Sequence, residues 1–204
     1  MTSLCNVADC LASYEKYREI NFMMRLGPTL MGVKPMHILC FRKDFKFVDR
    51  LLADLEMLFS SHESIRYRLV YSRNDSIKVI VYHQETMTRL LEDKRVLRFL
   101  TSRGFSTEMT AEDYMDHLHH CLIDNQLPEE YGVFFGYPLK DVMGFIGHPS
   151  LQHVKTTAWK VYGDPTLSDR LFEQFQRAEE KVLRLCQTLP LHAVVAQLHL
   201  QEAS

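Results

Sequence analysis

The chain has 204 residues, of which 46% are hydrophobic and 25% are charged, and its formal net charge is −2. This length and balance suit a single soluble globular domain that buries a sizeable core. The charge shows no clustered basic excess of the kind that nucleic acid or an anionic membrane requires, so neither is predicted as a partner.

The chain contains no signal for export or for membrane insertion. No apolar run approaches the roughly 18 residues of a membrane span. The first ten residues lack a basic region followed by an apolar one, so we predict no secretion signal and a cytoplasmic location. The odd number and wide spacing of the cysteines argue against a disulfide framework or a zinc finger and favour buried free thiols. They are Cys5, Cys10, Cys40, Cys121 and Cys186.

The first part of the chain alternates between helical and strand patterns. Apolar residues recur at helical spacing over residues 6–26, and Gly27-Pro28 is expected to end that helix. Residues 36–41 are typical of a strand, and residues 45–60 of a second helix.

The clearest local prediction is a β-hairpin. Two β-favouring runs, residues 66–71 and 77–82, flank Asn74 and Asp75, which suit a turn with positive φ angles.

Three helices with recognisable ends are predicted after the hairpin. Two pieces cover residues 85–91 and 94–102, with Asp93 as a cap and Gly104 as a stop. Thr110 and Asp113 resemble a capping box that opens a helix to about residue 124.

Residues 131–148 form the stretch around which the chain is expected to be organised. The apolar and aromatic run 131–135 favours a buried strand, which Gly136-Tyr137-Pro138 then breaks before a short helix from Leu139. A strand, a tight turn and a helix predict a loop at a sheet edge, where ligand sites are common.

The last part of the chain predicts one strand and two helices. Residues 156–162 are typical of a strand, and Asp164-Pro165 starts a long helix whose apolar positions are expected to pack on the sheet. These positions are Leu167, Leu171, Phe175, Ala178, Val182 and Leu185. Pro190 closes this helix, and the apolar segment 191–204 predicts a short helical extension that packs either on its own domain or on a second copy in a homodimer.

Together these elements predict an α+β fold in a single domain, residues 1–204. The fold has a mixed or antiparallel sheet of about five strands with an antiparallel hairpin, covered by several helices that include a long C-terminal one.

A pair of histidines on the helix from residue 111 suggests a metal site. His117 and His120 are neighbours on one helix face, and carboxylates lie near them. A specific site needs three or four ligands, and Cys121 is expected to point toward the core. A solvated acidic and histidine-rich face is therefore the alternative interpretation.

Four residues in or near the central turn and the last strand are candidates for ligand binding: Tyr137, Asp141, His148 and Trp159. A carboxylate or imidazole here could act as an acid or base, whereas aromatic rings at a strand end can wall a flat ligand. Asp141 equally suits the first turn of a helix, where it complements the helix dipole. His153 is expected to lie nearby in a loop. No phosphate-binding glycine pattern is present.

Three segments carry a family resemblance. They are Pro28-Thr-Leu-Met-Gly-Val-Lys-Pro35, Gly132-Val-Phe-Phe-Gly-Tyr-Pro-Leu-Lys-Asp-Val-Met-Gly-Phe-Ile146 and Trp159-Lys-Val-Tyr162. In this order and at these separations the chain resembles the bacterial, Firmicutes-type family of domain of unknown function 3793, over nearly its whole length. The resemblance implies a cytosolic bacterial protein and hints at iron or haem physiology, but it supplies no activity.

The chain also differs from the pattern that the resemblance implies. It has Arg25-Leu26, Glu129 and Lys155-Thr156 where relatives are expected to carry thiols or imidazoles, which suggests a divergent member.

Three functional hypotheses follow. The first is a non-catalytic small-ligand-binding or regulatory protein. The second is a metal- or haem-associated protein that uses histidines such as His117, His120 or His148. The third is a thiol- or carboxylate-dependent enzyme, in which a cysteine or Asp141 reacts. The first is preferred because the sequence contains no complete catalytic constellation.

Overall fold

The computed structural model describes residues 7–42, 48–59 and 62–202, and side-chain environments over 19–42, 52–59 and 62–198. Its elements in chain order are α1 Val7–Leu30, β1 Met36–Arg42, α2 Val48–Phe59, β2 Ile65–Tyr71, β3 Ser76–His83, α3 Gln84–Glu92, α4 Lys94–Ser102, α5 Ala111–Ile123, a 3₁₀ helix Glu129–Val133, α6 Leu139–Ile146, β4 His153–Thr156, β5 Lys160–Tyr162, α7 Thr166–Thr188 and α8 Leu191–Glu202. The mixed α+β class is therefore confirmed, whereas the single-domain organisation stays a prediction.

A three-stranded antiparallel sheet lies between two layers of helices. Its order is β1-β3-β2, so β3 is the central strand, and seven of its eight residues are buried. Leu39, Val79 and Val81 lie on one face and pack with α1, α2 and α8. Ile80 and Tyr82 lie on the other face and pack with α3, α4, α5 and the 3₁₀ helix. The alternation follows from the two-residue period of a strand, which sends neighbouring side chains to opposite faces.

The remaining strands form a second sheet, a small antiparallel hairpin of β4 and β5. The prediction of one strand over residues 156–162 is wrong, because Thr157 to Trp159 turn the chain and the Thr157 amide donates to the Trp159 carbonyl at 2.9 Å. About five strands are present as predicted, but they form sheets of three and two rather than one sheet.

The predicted strand at residues 131–135 is also wrong. Residues 129–133 form the 3₁₀ helix, which starts after Pro128 and continues into a turn. In a 3₁₀ helix side chains three apart lie above one another, and Tyr131 and Phe134, the residue after the helix, are both buried at this spacing. The Phe134 ring packs on the rings of Tyr131 and of Tyr114 of α5, and the Tyr131 hydroxyl donates to the Tyr114 carbonyl. A short apolar run is compatible with a strand and with a buried helical turn, so hydrophobic periodicity alone could not distinguish the two structures here.

Helix α1 runs past the Gly27-Pro28 pair that was expected to end it. Pro28 lies near the end of the helix, and its carbonyl accepts the amides of Val33 and Lys34, both at 2.9 Å, which closes the helix after Leu30. Gly27 lies against α7, where an added Cβ would be 3.0 Å from the Ala178 carbonyl oxygen. The glycine thus lets α1 and α7 approach closely.

The predicted packing of the α7 apolar positions on one sheet is corrected, because these positions are divided. Val182 and Leu185 pack in the cluster that contains α1, whereas Leu171 and Phe175 pack with Trp159 and Val161 of the β4–β5 hairpin. Ala178, Val182 and Cys186 are buried in α7, and the latter two join the core cluster that contains α1. Leu167, at the start of the predicted apolar face, is exposed.

Several local predictions are confirmed. Asp75 has a φ of 56° in the turn between β2 and β3 as predicted, whereas Asn74 does not have a positive φ. The Thr110–Asp113 capping box is present at the start of α5. Asp93 accepts the Arg95 amide at 2.8 Å and caps α4. Helix α2 is described from Val48, and the rest of the predicted range 45–60 lies outside the described residues.

Helix α8 confirms the predicted C-terminal helix. Val194, Val195 and Leu198 are buried in the chain's own core, so the intramolecular packing is the one observed. The homodimer stays a prediction. Among the described residues, no helix combines the length and apolar character that crossing a membrane demands.

The cysteines are only partly as expected. Cys186 is buried, Cys121 is half-buried and Cys40 is exposed on the edge strand β1, and all three are free. Cys5 and Cys10 lie outside the side chains that the structure describes.

Candidate functional site

A cleft of about 600 Å³ lies between the 3₁₀ helix with α6 and the β4–β5 hairpin. Its lining residues are Leu127, Pro128, Glu129, Gly132, Phe135, Tyr137, Asp141, Val142, Phe145, Ala158, Trp159 and Lys160. Three of the four predicted ligand-binding residues are among them: Tyr137, Asp141 and Trp159. The loop after residue 136 therefore does border a concave surface, although the feature before it is a 3₁₀ helix rather than a strand.

Two aromatic rings stack at the base of this cleft. The rings of Tyr137 and Trp159 have centroids 4.9 Å apart and an interplanar angle of 22°. Trp159 is 7% exposed, and its other sides contact Phe172 and Phe175 of α7. The indole is thus held on three sides, and burial raises the pKa of the Tyr137 hydroxyl, which keeps it protonated.

Asp141 fixes the position of the indole. One carboxylate oxygen accepts the Lys140 ammonium at 2.6 Å and the Tyr162 amide at 2.8 Å. The other accepts Trp159 Nε1–H at 2.8 Å and the Ser168 hydroxyl at 2.6 Å. One carboxylate therefore ties α6 to β5 and to α7.

The environment of Asp141 keeps it ionised. Burial opposes ionisation of this 2% exposed residue, but its hydrogen bonds outweigh burial, and the pKa of the carboxyl lies below its ordinary value. Asp141 lies in the first turn of α6 as predicted, yet its oxygens bind the hairpin and α7 rather than the amides of its own helix. With both oxygens doubly occupied it is a positioning residue.

Lys140 and Ser168 complete this network, and neither was singled out from the sequence. The Lys140 ammonium also donates to the Tyr162 carbonyl at 2.7 Å and to Ser168 Oγ at 2.8 Å. Its three protons therefore have three acceptors. The only signal in the sequence was the adjacent Lys140-Asp141 pair, since Ser168 lies 27 positions after Asp141.

The structure does not bring His148 or His153 into the cleft. His148 is exposed after α6, where its Nδ1 accepts the Ser150 amide at 3.4 Å. His153 packs edge-on against Tyr162, with Nε2 3.1 Å from Thr156 Oγ1. The ligand-binding role predicted for His148 stays a prediction without support from position.

His117 and His120 lie on an exposed face of α5 together with Asp113, Asp116 and Asp124, as the alternative interpretation of a solvated face predicted. His117 stacks on Tyr131, whose ring lies 5.9 Å away at 5°, and its Nδ1 is 2.8 Å from the Tyr131 hydroxyl oxygen. That hydroxyl donates to the Tyr114 carbonyl at 2.9 Å. Because the hydroxyl proton is used there, the Tyr131 oxygen is the acceptor in its contact with His117 Nδ1.

Cys121 lies beside His117 rather than in the core, which corrects the prediction. Its sulfur is 3.8 Å from His117 Nδ1. Burial raises the pKa of the thiol, assisted by the carboxylate of Glu130, so the thiolate is disfavoured. His120 Nδ1 is 2.6 Å from the Asp116 carbonyl. Within the described residues no three His, Cys, Asp or Glu side chains are grouped to hold a metal ion, and metal binding by His117 and His120 stays a prediction.

A buried lysine lies behind the aromatic cluster and was not predicted. The Lys34 ammonium lies 5.6 Å from the centroid of the Phe135 ring and 5.8 Å from that of Phe175, and 3.1 Å from His37 Nδ1. Burial lowers the pKa of Lys34 to about 8, against the opposing effect of Glu179. Burial, Lys34 and Arg25 together lower the pKa of His37 to about 3, so this imidazole is neutral and accepts from the lysine.

A second depression of about 810 Å³ lies between β3, α3 and the end of α1. Its polar groups are largely used within the fold. His83 Nδ1 accepts the Thr86 amide at 3.3 Å as the cap of α3, and Arg89 donates to Thr86 Oγ1 at 3.0 Å. It lacks the aromatic lining of the first cleft, which is therefore the stronger candidate.

Comparison with known proteins assigns the chain to a family. The family model described as "Protein of unknown function (DUF3793)" matches residues 22–194. The chain belongs to this family. The matched range of this DUF3793 member includes the whole cleft and the Asp141 network, which confirms the resemblance drawn from the three segments. No curated protein and no solved structure matches the chain.

Proposed function

We propose that the protein is a non-catalytic binding protein that holds a small ligand with a flat apolar body in the cleft beside Tyr137 and Trp159. The observation that carries this proposal is the stacked aromatic pair in a cleft of about 600 Å³. Pockets for small molecules have volumes of roughly 300–1,000 Å³ and combine apolar walls with a few polar groups.

The walls of the cleft suit such a body. Leu127, Pro128, Phe135, Val142 and Phe145 contribute apolar surface, and Phe145 is 47% exposed at the cleft. A flat ring that covers these groups removes apolar area from water and packs against the part of the aromatic pair that stays exposed. The pair itself is held by Asp141, so little side-chain freedom is lost on binding.

Binding is favoured over catalysis by the hydrogen bonding of the cleft. Asp141 is the buried carboxylate of the lining, and its four donors leave it no position from which to accept a substrate proton. The Tyr137 hydroxyl is kept protonated by burial. Both groups therefore act as fixed structure around the ligand.

The two other hypotheses stay predictions. Metal or haem association would use His117, His120 or His148, and a thiol- or carboxylate-dependent enzyme would use a cysteine or Asp141. Of those residues whose side chains the structure describes, none is arranged in a way that favours either hypothesis over ligand binding.

The proposal is tested by the fluorescence of Trp159, which is the single tryptophan of the chain and lies in the cleft. The untagged protein is titrated with indoles, hydroxybenzoates, nucleobases, flavins, haem and aromatic amino acids, and its melting temperature is followed in parallel. We expect at least one compound to change the emission saturably and to raise the melting temperature, because a ligand that binds only the folded state stabilises it.

A matched pair of variants separates cleft binding from surface binding. Ala158→Phe adds bulk to a lining residue on the hairpin, whereas Val154→Phe adds it to an exposed residue of β4 outside the lining. We expect Ala158→Phe to abolish the response and Val154→Phe to retain it. A response that both variants retain, or no response to any compound, contradicts the proposed function.

A further inference from the structure

Some charged residues of the cleft form a salt bridge within the fold, and others do not. Asp141 is paired with Lys140 inside the fold. Glu129 and Lys160 also line the cleft and are exposed, and neither forms a salt bridge with another residue in the described part of the chain. The cleft therefore presents one negative and one positive group that are available to a ligand.

These two groups lie on opposite walls. Glu129 is the first residue of the 3₁₀ helix, on the wall that also carries Phe135 and Tyr137. Lys160 is the first residue of β5 and directly follows Trp159 on the hairpin wall. A ligand in the cleft therefore meets the Lys160 ammonium on the hairpin wall and the Glu129 carboxylate on the wall of the 3₁₀ helix.

The present partner of Lys160 is a weak one. Its ammonium lies 5.3 Å from the centroid of the Phe145 ring, a cation–π contact at an exposed site. Such a contact stabilises less than a charge-assisted hydrogen bond to a carboxylate, so a ligand anion can recruit the lysine at small cost.

We propose that the cleft selects a small zwitterion with an aromatic side group, that is, an aromatic amino acid or a close analogue. The ring packs against Phe145 and the exposed part of the Tyr137–Trp159 pair, the ligand carboxylate binds Lys160, and the ligand ammonium binds Glu129. This inference rests on the proposed function and names its ligand class.

The charges of the lining disfavour the other classes of flat ligand. A nucleotide or another polyanion would meet one available ammonium and the carboxylate of Glu129. A purely cationic ring would leave Lys160 unpaired beside it. A charge of the wrong sign costs affinity even where the ring fits, so the opposite signs on the two walls supply selectivity.

The test uses L-phenylalanine as the probe, because its ring does not interfere with the emission of Trp159. It is compared with phenethylamine, which lacks the carboxylate, with 3-phenylpropionate, which lacks the amine, and with phenethyl alcohol, which lacks both charges. We expect L-phenylalanine to bind roughly three- to ten-fold more tightly than either singly charged analogue, as suits one exposed charge-assisted contact each.

Two variants assign the contacts. In Lys160→Gln the preference for L-phenylalanine over phenethylamine is expected to disappear, while the affinity for phenethylamine is kept. In Glu129→Gln the preference over 3-phenylpropionate is expected to disappear. Lys155→Gln, which removes a positive charge from the same hairpin outside the lining, is expected to leave all affinities unchanged.

The outcomes distinguish this inference from the proposed function. Equal affinities for all four compounds, or preferences that Lys160→Gln and Glu129→Gln leave intact, overturn the zwitterion inference and keep the binding cleft. Binding of an uncharged or polyanionic compound from the wider panel, without binding of L-phenylalanine, does the same. The absence of any cleft-dependent response overturns both.

Discussion

The three-stranded sheet and the β4–β5 hairpin are held in place by different forces. The central strand β3 is buried along nearly its whole length between two helical layers. In β4, by contrast, three of the four residues are exposed and the fourth is half-buried. The sheet is stabilised mainly by burial of apolar area, whereas the hairpin depends on the carboxylate of Asp141 and the packing of Trp159 and Val161.

This difference explains where the candidate site lies. The three-stranded sheet is held by apolar packing, so its apolar side chains are buried in the core and do not line a ligand site. Where the hairpin meets α6 through a few polar contacts, Phe145 of α6 stays 47% exposed, and the cleft lies at that junction. Because the hairpin depends on these few polar contacts, we expect a single substitution among them to loosen its packing on α6.

The largest expected effect is in the sheet. Ile80→Ala removes most of a fully buried side chain from β3 and should lower the free energy of unfolding by about 3 to 4 kcal/mol, through lost burial and the cavity left behind. Denaturant unfolding measures this loss. Val154→Ala in the exposed strand β4 is the control, with an expected loss of about 0.5 kcal/mol or less. Equal losses of unfolding free energy in Ile80→Ala and Val154→Ala would contradict the conclusion that apolar burial stabilises the sheet more than the hairpin.

The next effect is at the anchor of the hairpin. Asp141→Asn leaves the Lys140 ammonium without its anionic partner and should cost about 2 to 3 kcal/mol, below the roughly 3 to 5 kcal/mol of a fully buried pair because the Lys140 side chain is 24% exposed. Hydrogen exchange should accelerate in β4 and β5 while β3 stays protected. Because the folded-state pKa of Asp141 is lowered, the stabilisation is present above the unfolded pKa and is lost as pH falls through the folded pKa.

Asp169→Asn is the matched control for that substitution. Asp169 pairs with Lys155 of β4, but both side chains are about two-fifths exposed, at 42% and 40%. An exposed pair stabilises by about 1 kcal/mol or less, so this variant should leave hydrogen exchange in the hairpin nearly unchanged. If both aspartate variants release the hairpin equally, the anchoring role of Asp141 is wrong.

A smaller effect is expected where α6 meets β5. An added Cβ at Gly144 would overlap the side chain of Tyr162. Gly144→Ala should therefore destabilise by roughly 1 to 2 kcal/mol, although the same change at an open helical position stabilises. The double variant Gly144→Ala/Tyr162→Ala should be less unstable than Tyr162→Ala alone. A stabilising Gly144→Ala would show that the hairpin does not press on α6.

The last expected effect is a pH dependence at His37 on the edge strand β1. The pKa of His37 falls from 6.5 to about 3 in the folded state, through burial, Lys34 and Arg25. Between these values the unfolded chain binds more protons, so this residue makes stability fall as pH decreases from about 6.5 to about 3. We expect His37→Gln to flatten the unfolding free energy over that window. The exposed His148→Gln serves as the control, and identical profiles for His37→Gln and the parent chain would refute the assignment.

The sequence by itself determined the elements whose signals are local. The turn at Asp75, the cap at Asp93 and the box at Thr110 and Asp113 are made by residues within three positions of their partners. Such contacts form in almost any tertiary setting, and for that reason the hairpin and helices α3 to α5 were predicted with their correct type. The aromatic and acidic residues around residues 137–159 were likewise predicted to be near a site, and three of them line one cleft.

Only the tertiary structure decided how those residues are used. Residues 129–133 form a 3₁₀ helix rather than a strand because Tyr131, inside it, and Phe134, directly after it, both find partners in Tyr114 of α5, the first at its carbonyl and the second at its ring. Asp141 is an anchor because Ser168 and Trp159, distant along the chain, converge on its second oxygen. An apolar run or an isolated carboxylate is compatible with several local structures, and its energy depends on partners that the local sequence does not contain.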